Sequence, residues 1–328
     1  MAKILVTGGA GYIGSFMVRE LQKKGFETVI VDNLSQGHSE AVKDFRLEKI
    51  DLVTEKEKLD ELFSTEKFDG VVHMASFIQM GESYKNPAKY YENNVCGFFN
   101  LLESMRKNDV NKIIISSSAG VYGNPVKLPI EEGDPKNPLN PYGETKYILE
   151  RMLEDYDAAY GTKFIAIRYF NAAGAALDGT IGEDHPEESH LIPNIIKKAL
   201  NGEEIEIFGN DYDTSDGTNI RDYIHVLDLV ETHSIAMEKL MEGGESNIYN
   251  AGIGKGYSNK EILDMVKNTL EIELKIKYGP RRLGDADALY ASIEKIKKNF
   301  SWTPKYGLKE IIESAAIWHK SHPSGYGI

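Results

Sequence analysis

Tyr142 and Lys146 stand four apart in the run Pro141-Tyr142-Gly143-Glu144-Thr145-Lys146, at the start of a helix-like stretch that continues through Tyr147-Ile148-Leu149-Glu150-Arg151-Met152. Four residues are about one helical turn, so both side chains leave one face roughly 6 Å apart along the axis. A fixed ammonium at that range favours a phenolate by about 2–3 kcal/mol at an effective dielectric near 20, or roughly two pKa units. The expectation is a tyrosine brought toward the range in which it acts as a base at neutral pH. The spacing alone says little, because 18 tyrosines make such a pair common by chance. Its companions give it weight.

Lys3-Ile4-Leu5-Val6-Thr7 reads as a short buried strand, followed at once by Gly8-Gly9-Ala10-Gly11-Tyr12-Ile13-Gly14 and a helix with apolar Ile13, Phe16, Met17 and Leu21. Gly8, Gly11 and Gly14, or Gly9, Gly11 and Gly14, fit the spacing that lets backbone amides approach a pyrophosphate at a helix N-terminus. Asp32 ends the next strand about twenty residues later, where an acid binds a ribose 2′-hydroxyl and repels a 2′-phosphate. The cofactor read from this pattern is NAD rather than NADP. Ser116-Ser117-Ser118 closes a further strand, Lys112-Ile113-Ile114-Ile115-Ser116, so Ser118 falls at a carboxyl end. Ser118, Tyr142 and Lys146 then form a consistent set. The serine bonds the substrate oxygen, the tyrosine exchanges its proton, and the lysine tunes the tyrosine and holds cofactor ribose.

The elements needed to position these groups are legible as alternating strands and helices. Strands are expected at 3–7, 28–32, 46–50, 70–73, 112–116 and 164–168, and helices at 12–24, 55–64, 87–107 and 142–160. Near-continuous apolar strands alternating with helices imply an α/β fold with a doubly wound parallel sheet of the Rossmann type. After Gly174 the pattern turns irregular, with loop-rich stretches at 175–190, 209–222 and 279–290 and helices near 191–201, 226–241, 258–269 and 307–320. The expected organisation is an NAD-binding domain over 1–174, with returns from later segments, and a smaller α/β substrate-binding part over 175–328. The site is expected at the carboxyl ends of the strands.

With 328 residues, 41% hydrophobic and 27% charged, the chain reads as soluble and globular. A net charge of −13 argues against nucleic acid or an anionic membrane surface as partner. No apolar run approaches a membrane span or a signal-peptide core. The single cysteine, Cys96, has no internal partner for a disulfide and reads as a core residue among Val95, Phe98, Phe99 and Leu101. The expected compartment is the cytoplasm.

At this point the chain resembles the extended short-chain dehydrogenase/reductase superfamily and, within it, the UDP-glucose 4-epimerases. The resemblance spans essentially the whole length. It rests on Thr7 to Gly14, Asp32-Asn33-Leu34-Ser35, Met80-Gly81-Glu82-Ser83, Tyr91-Glu92-Asn93-Asn94-Val95, Ser116 to Gly123 and the Tyr142 motif. It continues in Arg168-Tyr169-Phe170-Asn171-Ala172-Ala173-Gly174, Phe208-Gly209-Asn210-Asp211-Tyr212, Asp216-Gly217-Thr218, Arg221-Asp222-Tyr223-Ile224-His225-Val226 and Arg281-Arg282-Leu283-Gly284-Asp285. The resemblance implies an NAD site comprising Gly8, Gly11, Tyr12, Ile13, Gly14, Asp32, Asn33, Leu34, Ser35, Gln36, Gly37, Asp51 and Leu52. To these it adds Met74, Ala75, Ser76, Phe77, Ile78, Asn94, Ser116, Tyr142, Lys146 and Phe170. For a UDP-sugar it implies Ser118, Tyr142, Asn171, His190, Leu191, Glu206, Ile207, Phe208, Arg221, Arg282, Asp285 and Leu289. Arg221 and Arg282 are fork-shaped cations suited to a diphosphate. Two departures stand out: Ile78 occupies a position where the family often has lysine, and His190 one where asparagine is common.

The resemblance implies an isomerase that interconverts UDP-glucose and UDP-galactose by transient oxidation at C4, turning of the 4-keto sugar and return of hydride. UDP-N-acetylglucosamine epimerisation and a non-catalytic NAD sensor are the alternatives. Nucleotide-sugar 4,6-dehydratases need an Asp-Glu pair where this chain has Ala119-Gly120, which transfers no proton. A homodimer is expected through Tyr91, Val95, Phe98, Phe99 and Leu102 with Tyr147, Ile148, Met152, Leu153 and Tyr156. Leu289 is expected to limit room at the sugar's C2 substituent. No metal is expected: Asp211 to Asp222 misses the calcium-loop spacing, His185 and His190, or His319 and His322, read as surface histidines, and Glu187-Glu188 as a solvated turn.

Overall fold

The apolar run at the N-terminus forms the strand Lys3–Thr7, with Ile4, Leu5 and Val6 fully buried. A strand covered on both faces cannot alternate polar and apolar residues, hence the unbroken run. It pairs in parallel with Glu27–Asp32 on one side and Gly70–His73 on the other. Leu47–Lys49 and Lys112–Ser118 continue the parallel sheet outward on the two sides. Lys163–Tyr169 and Asn247–Ala251 complete seven strands. The chain builds from Lys3–Thr7 first in one direction and then in the other, so the carboxyl end of that strand is the topological switch point. The expected doubly wound α/β fold is what forms. The computed structural model describes residues 1–185, 187–281 and 285–327.

The chain divides into two units, the first comprising Met1–Gly123, Pro135–Arg168 and Val230–Tyr249. Its helix Pro141–Tyr160 starts where the sequence says it should. Asn140 accepts the Gly143 amide at 2.8 Å as N-cap, Pro141 takes the first turn, and Gly161 ends the helix at φ +72°. The buried stripe Tyr142, Thr145, Lys146, Leu149, Glu150 and Leu153 follows the helical period. Leu149 and Leu153 join the sheet core with Phe98, Leu101, Leu102 and Met105, which anchors the turn bearing Tyr142 and Lys146.

The helix expected over 87–107 is Pro87–Tyr90, a π turn over Tyr91–Cys96, and Gly97–Lys107. The wider turn shifts the phase of the buried face. Asn94 consequently points inward, and Cys96 is exposed rather than a core residue. Among the described residues no helix is long and apolar enough to cross a membrane.

The second unit comprises Asn124–Asp134, Tyr169–Leu229 and Asn250–Ile328. Its central strand Ile220–His225 pairs with Gly256–Ser258, with Ala288–Leu289 and with Asn171–Ala173. Glu204–Phe208 pairs in parallel with Lys275–Gly279. Isoleucines of the helix Leu191–Asn201 pack with Ile262, Val266, Ile311 and Ile312 from two other helices. Apart from Ile220–His225, these strands have five residues or fewer and are largely exposed or half-buried, so their period is not sustained.

Candidate active site

The turn after Lys3–Thr7 cannot carry side chains. Gly8 sits at φ +70°, and a Cβ there would lie 2.5 Å from the Ala75 nitrogen. A Cβ on Gly14 would lie 2.1 Å from the Gly8 carbonyl oxygen. Gly11 caps the helix Tyr12–Lys23, whose first turn has no acidic residue, so its positive end is open to an anion. Around this turn is about 610 Å³ of open space, lined by Gly8, Gly11, Asp32, Asn33, Ser35, Gln36 and Gly37 on one side. Leu52, Met74, Ala75, Ser76 and Phe77 complete much of the wall. The shape, the amide-lined turn and the acid at its edge fit a dinucleotide.

Asp32 is held in place by the Ala10 amide on Oδ2 at 2.9 Å and the Leu34 amide on Oδ1 at 2.8 Å. Burial pushes its carboxyl up, and these two bonds oppose the shift. Each oxygen keeps a lone pair for a ribose hydroxyl. Leu34 pays for this turn with φ +60°, a conformation leucine rarely adopts. Asn33 donates to Asp51 Oδ2 at 2.7 Å, while Asp51 Oδ1 takes the Val53 and Thr54 amides at 2.9 and 3.0 Å. These bonds fix the loop that carries Leu52. Tyr12 and Ile13 open the helix, half-buried.

Ser118, Tyr142 and Lys146 come together in the same unit and are 8%, 7% and 1% exposed. Ser118 hydrogen-bonds the Tyr142 phenol and accepts the Gly120 amide at 3.0 Å. Lys146 Nζ lies 5.9 Å from the Tyr142 ring centroid and donates to the Ser116 carbonyl at 2.8 Å. The expected depression of Tyr142 is not found. Burial pushes the phenol up, and only the Ser118 bond works against it. Burial likewise pulls Lys146 down to about 7, against the attraction of Glu150. A helical spacing of four predicts attraction only for a solvated ammonium facing the phenol, whereas here both groups are desolvated and the ammonium is directed at a carbonyl. His73 stays neutral, pushed down to about 3 by burial and then by Lys146.

A layer of hydrogen bonds supports these groups, and of its side chains only Asn94 is expected at the site from the sequence. Asn94, in the π turn, accepts the Phe77 amide at 2.9 Å, donates to the Phe77 carbonyl at 3.1 Å, and donates to Thr145 at 3.1 Å. Thr145 in turn donates to the Tyr142 carbonyl at 2.7 Å. Asn94 therefore ties the Met74–Ile78 wall to the helix of Tyr142. Below it, Arg168 binds Glu150 through Nε at 2.9 Å and Nη2 at 2.6 Å, and Tyr122 through Nη1 at 2.9 Å. Ser117 donates to the same Glu150 carboxylate at 2.5 Å. No cation stands at Ile78, but Lys89 borders the same loop, 4.1 Å over the Phe77 ring and paired with Glu82 at 2.6 Å.

In the second unit, Arg221 donates from Nη2 to Asp285 at 2.9 Å and from Nη1 to the Ala286 carbonyl at 2.9 Å. Asn219 also reaches Asp285, at 3.3 Å. Leu289 is in register with Arg221 on the neighbouring strand. Asn171 donates to the Asp222 carbonyl at 2.8 Å, and Phe170 precedes it, half-buried. Glu206 is exposed and Phe208 half-buried, while the Ile207 side chain belongs to the core. Leu191 opens its helix directly after His190. Arg282 lies outside the described residues.

The NAD dependent epimerase/dehydratase family matches residues 4–252. A UDP-glucose 4-epimerase of Lactobacillus helveticus is 46% identical over 99% of this chain and 99% of its own length. The UDP-glucose 4-epimerase from Brucella ovis, solved in complex with NAD, superposes with a TM-score of 0.94 at 42% identity, covering 96% of this chain and 98% of that one. The enzyme from Bifidobacterium longum, solved with NAD+ and UDP, gives 0.93 at 34% identity, covering 99% and 100%. The chain belongs to the NAD dependent epimerase/dehydratase family.

Within this epimerase/dehydratase chain, several surface assignments need correction. His190 is not a free ring: its Nδ1 hydrogen-bonds Glu183, with Glu188 Oε1 at 3.6 Å. The Glu188 side chain is only 7% exposed, so the pair Glu187-Glu188 is not wholly a solvated turn. His319 is buried and pulled down to about 4 by that burial, and His322 stacks on Trp318 at 3.8 Å. Helical and loop positions that look solvated in sequence are covered here by elements far along the chain, which local pattern does not report.

Proposed function

We propose that the chain interconverts UDP-glucose and UDP-galactose by inverting the hexose at C4. The observation that carries the reading is Tyr142: a nearly buried phenol, bonded to Ser118, one turn from a buried lysine. When bound, NAD supplies a reversible hydride acceptor for C4 and a positively charged ring. Gly8, Gly11 and Gly14 cradle its pyrophosphate, Asp32 accepts from its adenosine ribose, and Asn33, Leu34, Ser35, Gln36, Gly37, Asp51 and Leu52 border the same end. Met74 to Ile78, with Asn94, Ser116 and Phe170, complete the cofactor's surroundings in this assignment.

Tyr142 takes the proton from the 4-hydroxyl as C4 is oxidised and returns it when C4 is reduced. In the unliganded chain the phenol is disfavoured as an anion, so its ionisation depends on positive charge brought beside it. Lys146 is poised to contribute: with its pKa near 7 it carries charge in part of the population at neutral pH. Ser118 keeps the oxygen of the substrate in line with the phenol. Ala119-Gly120 offers no carboxyl group. A Cβ at Gly120 would stand 3.3 Å from Ser118 Oγ, leaving little room for an acid that could drive loss of water. Epimerisation is favoured over dehydration on that ground.

For the nucleotide we assign Arg221 and Arg282 to the diphosphate and Asp285 to the ribose. Asn171, His190, Leu191, Glu206, Ile207, Phe208 and Leu289 border the uridine and hexose, Ile207 through its backbone. A grip concentrated on UDP leaves the 4-keto hexose free to turn and present its other face. Residues 1–174 with later returns form the cofactor domain in this reading, and 175–328 the nucleotide-sugar domain. We also propose a homodimer, for which Tyr91 and Phe99 remain exposed at 38% and 46%, and a cytoplasmic setting consistent with the unpaired Cys96.

Purified protein is incubated with UDP-galactose, and the anomeric proton signals of both sugars are followed by NMR. The same mixture of the two sugars is expected from either starting sugar. Absence of conversion with NAD supplied in excess refutes the proposal.

A further inference from the structure

Between Glu183 and the helix Leu191–Asn201 lies a polar cluster that neither the cofactor cradle nor the Ser118, Tyr142 and Lys146 set uses. Glu183, His185, Glu188 and His190 each bring one oxygen or nitrogen to within 4.8 Å of the others. We propose that this cluster binds a divalent first-row transition ion, zinc being the ion its donors suit, through His185 Nδ1, His190 Nδ1 and one carboxylate oxygen from each glutamate.

A tetrahedral zinc with ligands at about 2.0–2.1 Å holds its ligand atoms roughly 3.3–3.4 Å apart. His185 Nδ1 is 3.4 Å from Glu183 Oε1 and 3.6 Å from Glu188 Oε2, and His190 Nδ1 is 3.6 Å from Glu188 Oε1. His185 Nδ1 thus stands near the required spacing from one oxygen of each glutamate, while His190 Nδ1 faces the other oxygen of Glu188, so a turn of that carboxylate offers one oxygen to both rings. His190 Nδ1 and Glu183 Oε1 form a direct hydrogen bond that opens when the ion takes the place of the proton. The two rings meet edge to face, 5.4 Å between centroids, with both Nδ1 atoms turned toward the carboxylates.

A second observation points independently to a missing ligand. Glu188 Oε2 is buried, on a side chain 7% exposed, and has no hydrogen-bond partner. Leaving a buried acceptor of this kind unpaired is costly and uncommon. Two buried carboxylates stand together here, and the ammonium of Lys197 stays 3.9 Å from Glu188. A dication neutralises both carboxylates.

Two imidazoles among the donors select zinc or its neighbours over magnesium and calcium. Four protein ligands leave no open position, which marks a structural rather than a catalytic ion. It would fasten the loop to two helices. His190 is the N-cap of Leu191–Asn201, and the Glu183 carbonyl accepts Trp318 Nε1 at 3.1 Å. The ion would engage His190 through Nδ1 alone, so the site does not depend on the proposed reaction.

The test uses the holoenzyme, stripped of metal with a chelator and dialysed. After addition of zinc and desalting, about one equivalent per chain is expected by elemental analysis, with a higher Tm. Cobalt in place of zinc is expected to give the intense visible bands of a four-coordinate ion, bleached by zinc. His185→Gln, at a partly exposed side chain, is expected to lose at least tenfold in zinc affinity with its far-UV spectrum unchanged. Glu188→Gln is expected to do the same, and His185→Cys, which keeps a ligand, to retain zinc. Less than half an equivalent on the unsubstituted protein, or equal retention by His185→Gln, overturns the proposal. None of these readouts depends on epimerase turnover.

Discussion

Lys146→Met separates what the lysine does for chemistry from what it does to the fold. The side chain is 1% exposed, and burial draws its pKa from the ordinary 10.5 down to about 7. The unfolded chain therefore holds a proton that the folded chain releases between about pH 7 and 10.5. Stability rises with pH across that window, and below it the penalty is complete. A shift of roughly three units at 1.36 kcal/mol each sets the penalty at about 4–5 kcal/mol. Methionine carries none of it and fills nearly the same volume. It forfeits the 2.8 Å bond to the Ser116 carbonyl, and an acceptor left unpaired costs about 1–3 kcal/mol. The variant should thus be more stable than the unsubstituted protein by about 1–4 kcal/mol at pH 6.5, with the advantage gone near pH 10. Urea unfolding of the cofactor-free proteins at several pH values measures this, since bound NAD would mask it by mass action. Turnover should fall by orders of magnitude at every pH. A variant less stable at pH 6.5, or a difference that does not move with pH, would show that the ammonium is not desolvated and would refute the reasoning.

Tyr142→Phe keeps the buried ring and loses the proton-carrying oxygen. It should reduce kcat by orders of magnitude while UDP binding, measured by calorimetry, changes little; near-normal turnover would remove Tyr142 from its role. Arg168→Met strands Glu150 as a buried charge and should cost about 3–5 kcal/mol in denaturant unfolding. The Arg168→Met/Glu150→Met double variant should recover part of that, and equal stability of single and double variants would contradict the charge argument. Leu289→Ser should raise activity on UDP-N-acetylglucosamine relative to UDP-glucose in a comparison of kcat/KM. Tyr290 follows the strand Ala288–Leu289 and packs 3.2 Å from where a Gly256 Cβ would stand; an unchanged ratio would remove Leu289 as the gate of the C2 substituent.

The parts of the fold legible in the sequence are those whose signals are local. The glycine turn, the Asn140 cap, Pro141 and Gly161 each speak within a few residues, and the sheet strands Lys3–Thr7, Glu27–Asp32, Lys112–Ser118 and Lys163–Tyr169 each contain an apolar run. Strands such as Gly256–Ser258 and Ala288–Leu289 are two or three residues long and half-buried, set by pairing with Ile220–His225 rather than by their own pattern. Cys96 misled because a single π turn rephases a helix without any sequence punctuation. Asn94 is placed at the cofactor site by the family resemblance, but its role in tying the Met74–Ile78 wall to the helix of Tyr142 is not legible in the sequence. Its partners, Phe77 and Thr145, are seventeen and fifty-one positions away.

The sign of the Tyr142 shift failed for a more instructive reason. Spacing along a helix gives the distance between two charges, but not the dielectric around them or the direction in which the ammonium points. Once both groups are buried, desolvation outweighs the Ser118 hydrogen bond for Tyr142 and the attraction of Glu150 for Lys146, and the phenol becomes a weaker acid instead of a stronger one. The pair is then poised rather than active: a half-charged lysine and a neutral phenol, waiting on positive charge from outside the chain. That coupling has a chemical use in an enzyme whose base should ionise only when the hydride acceptor is in place, because a 4-hydroxyl deprotonated without an acceptor has nowhere to send its hydride. In the proposed reaction, the burial that disfavours the phenolate of Tyr142 in the unliganded chain would make the proton step contingent on the cofactor.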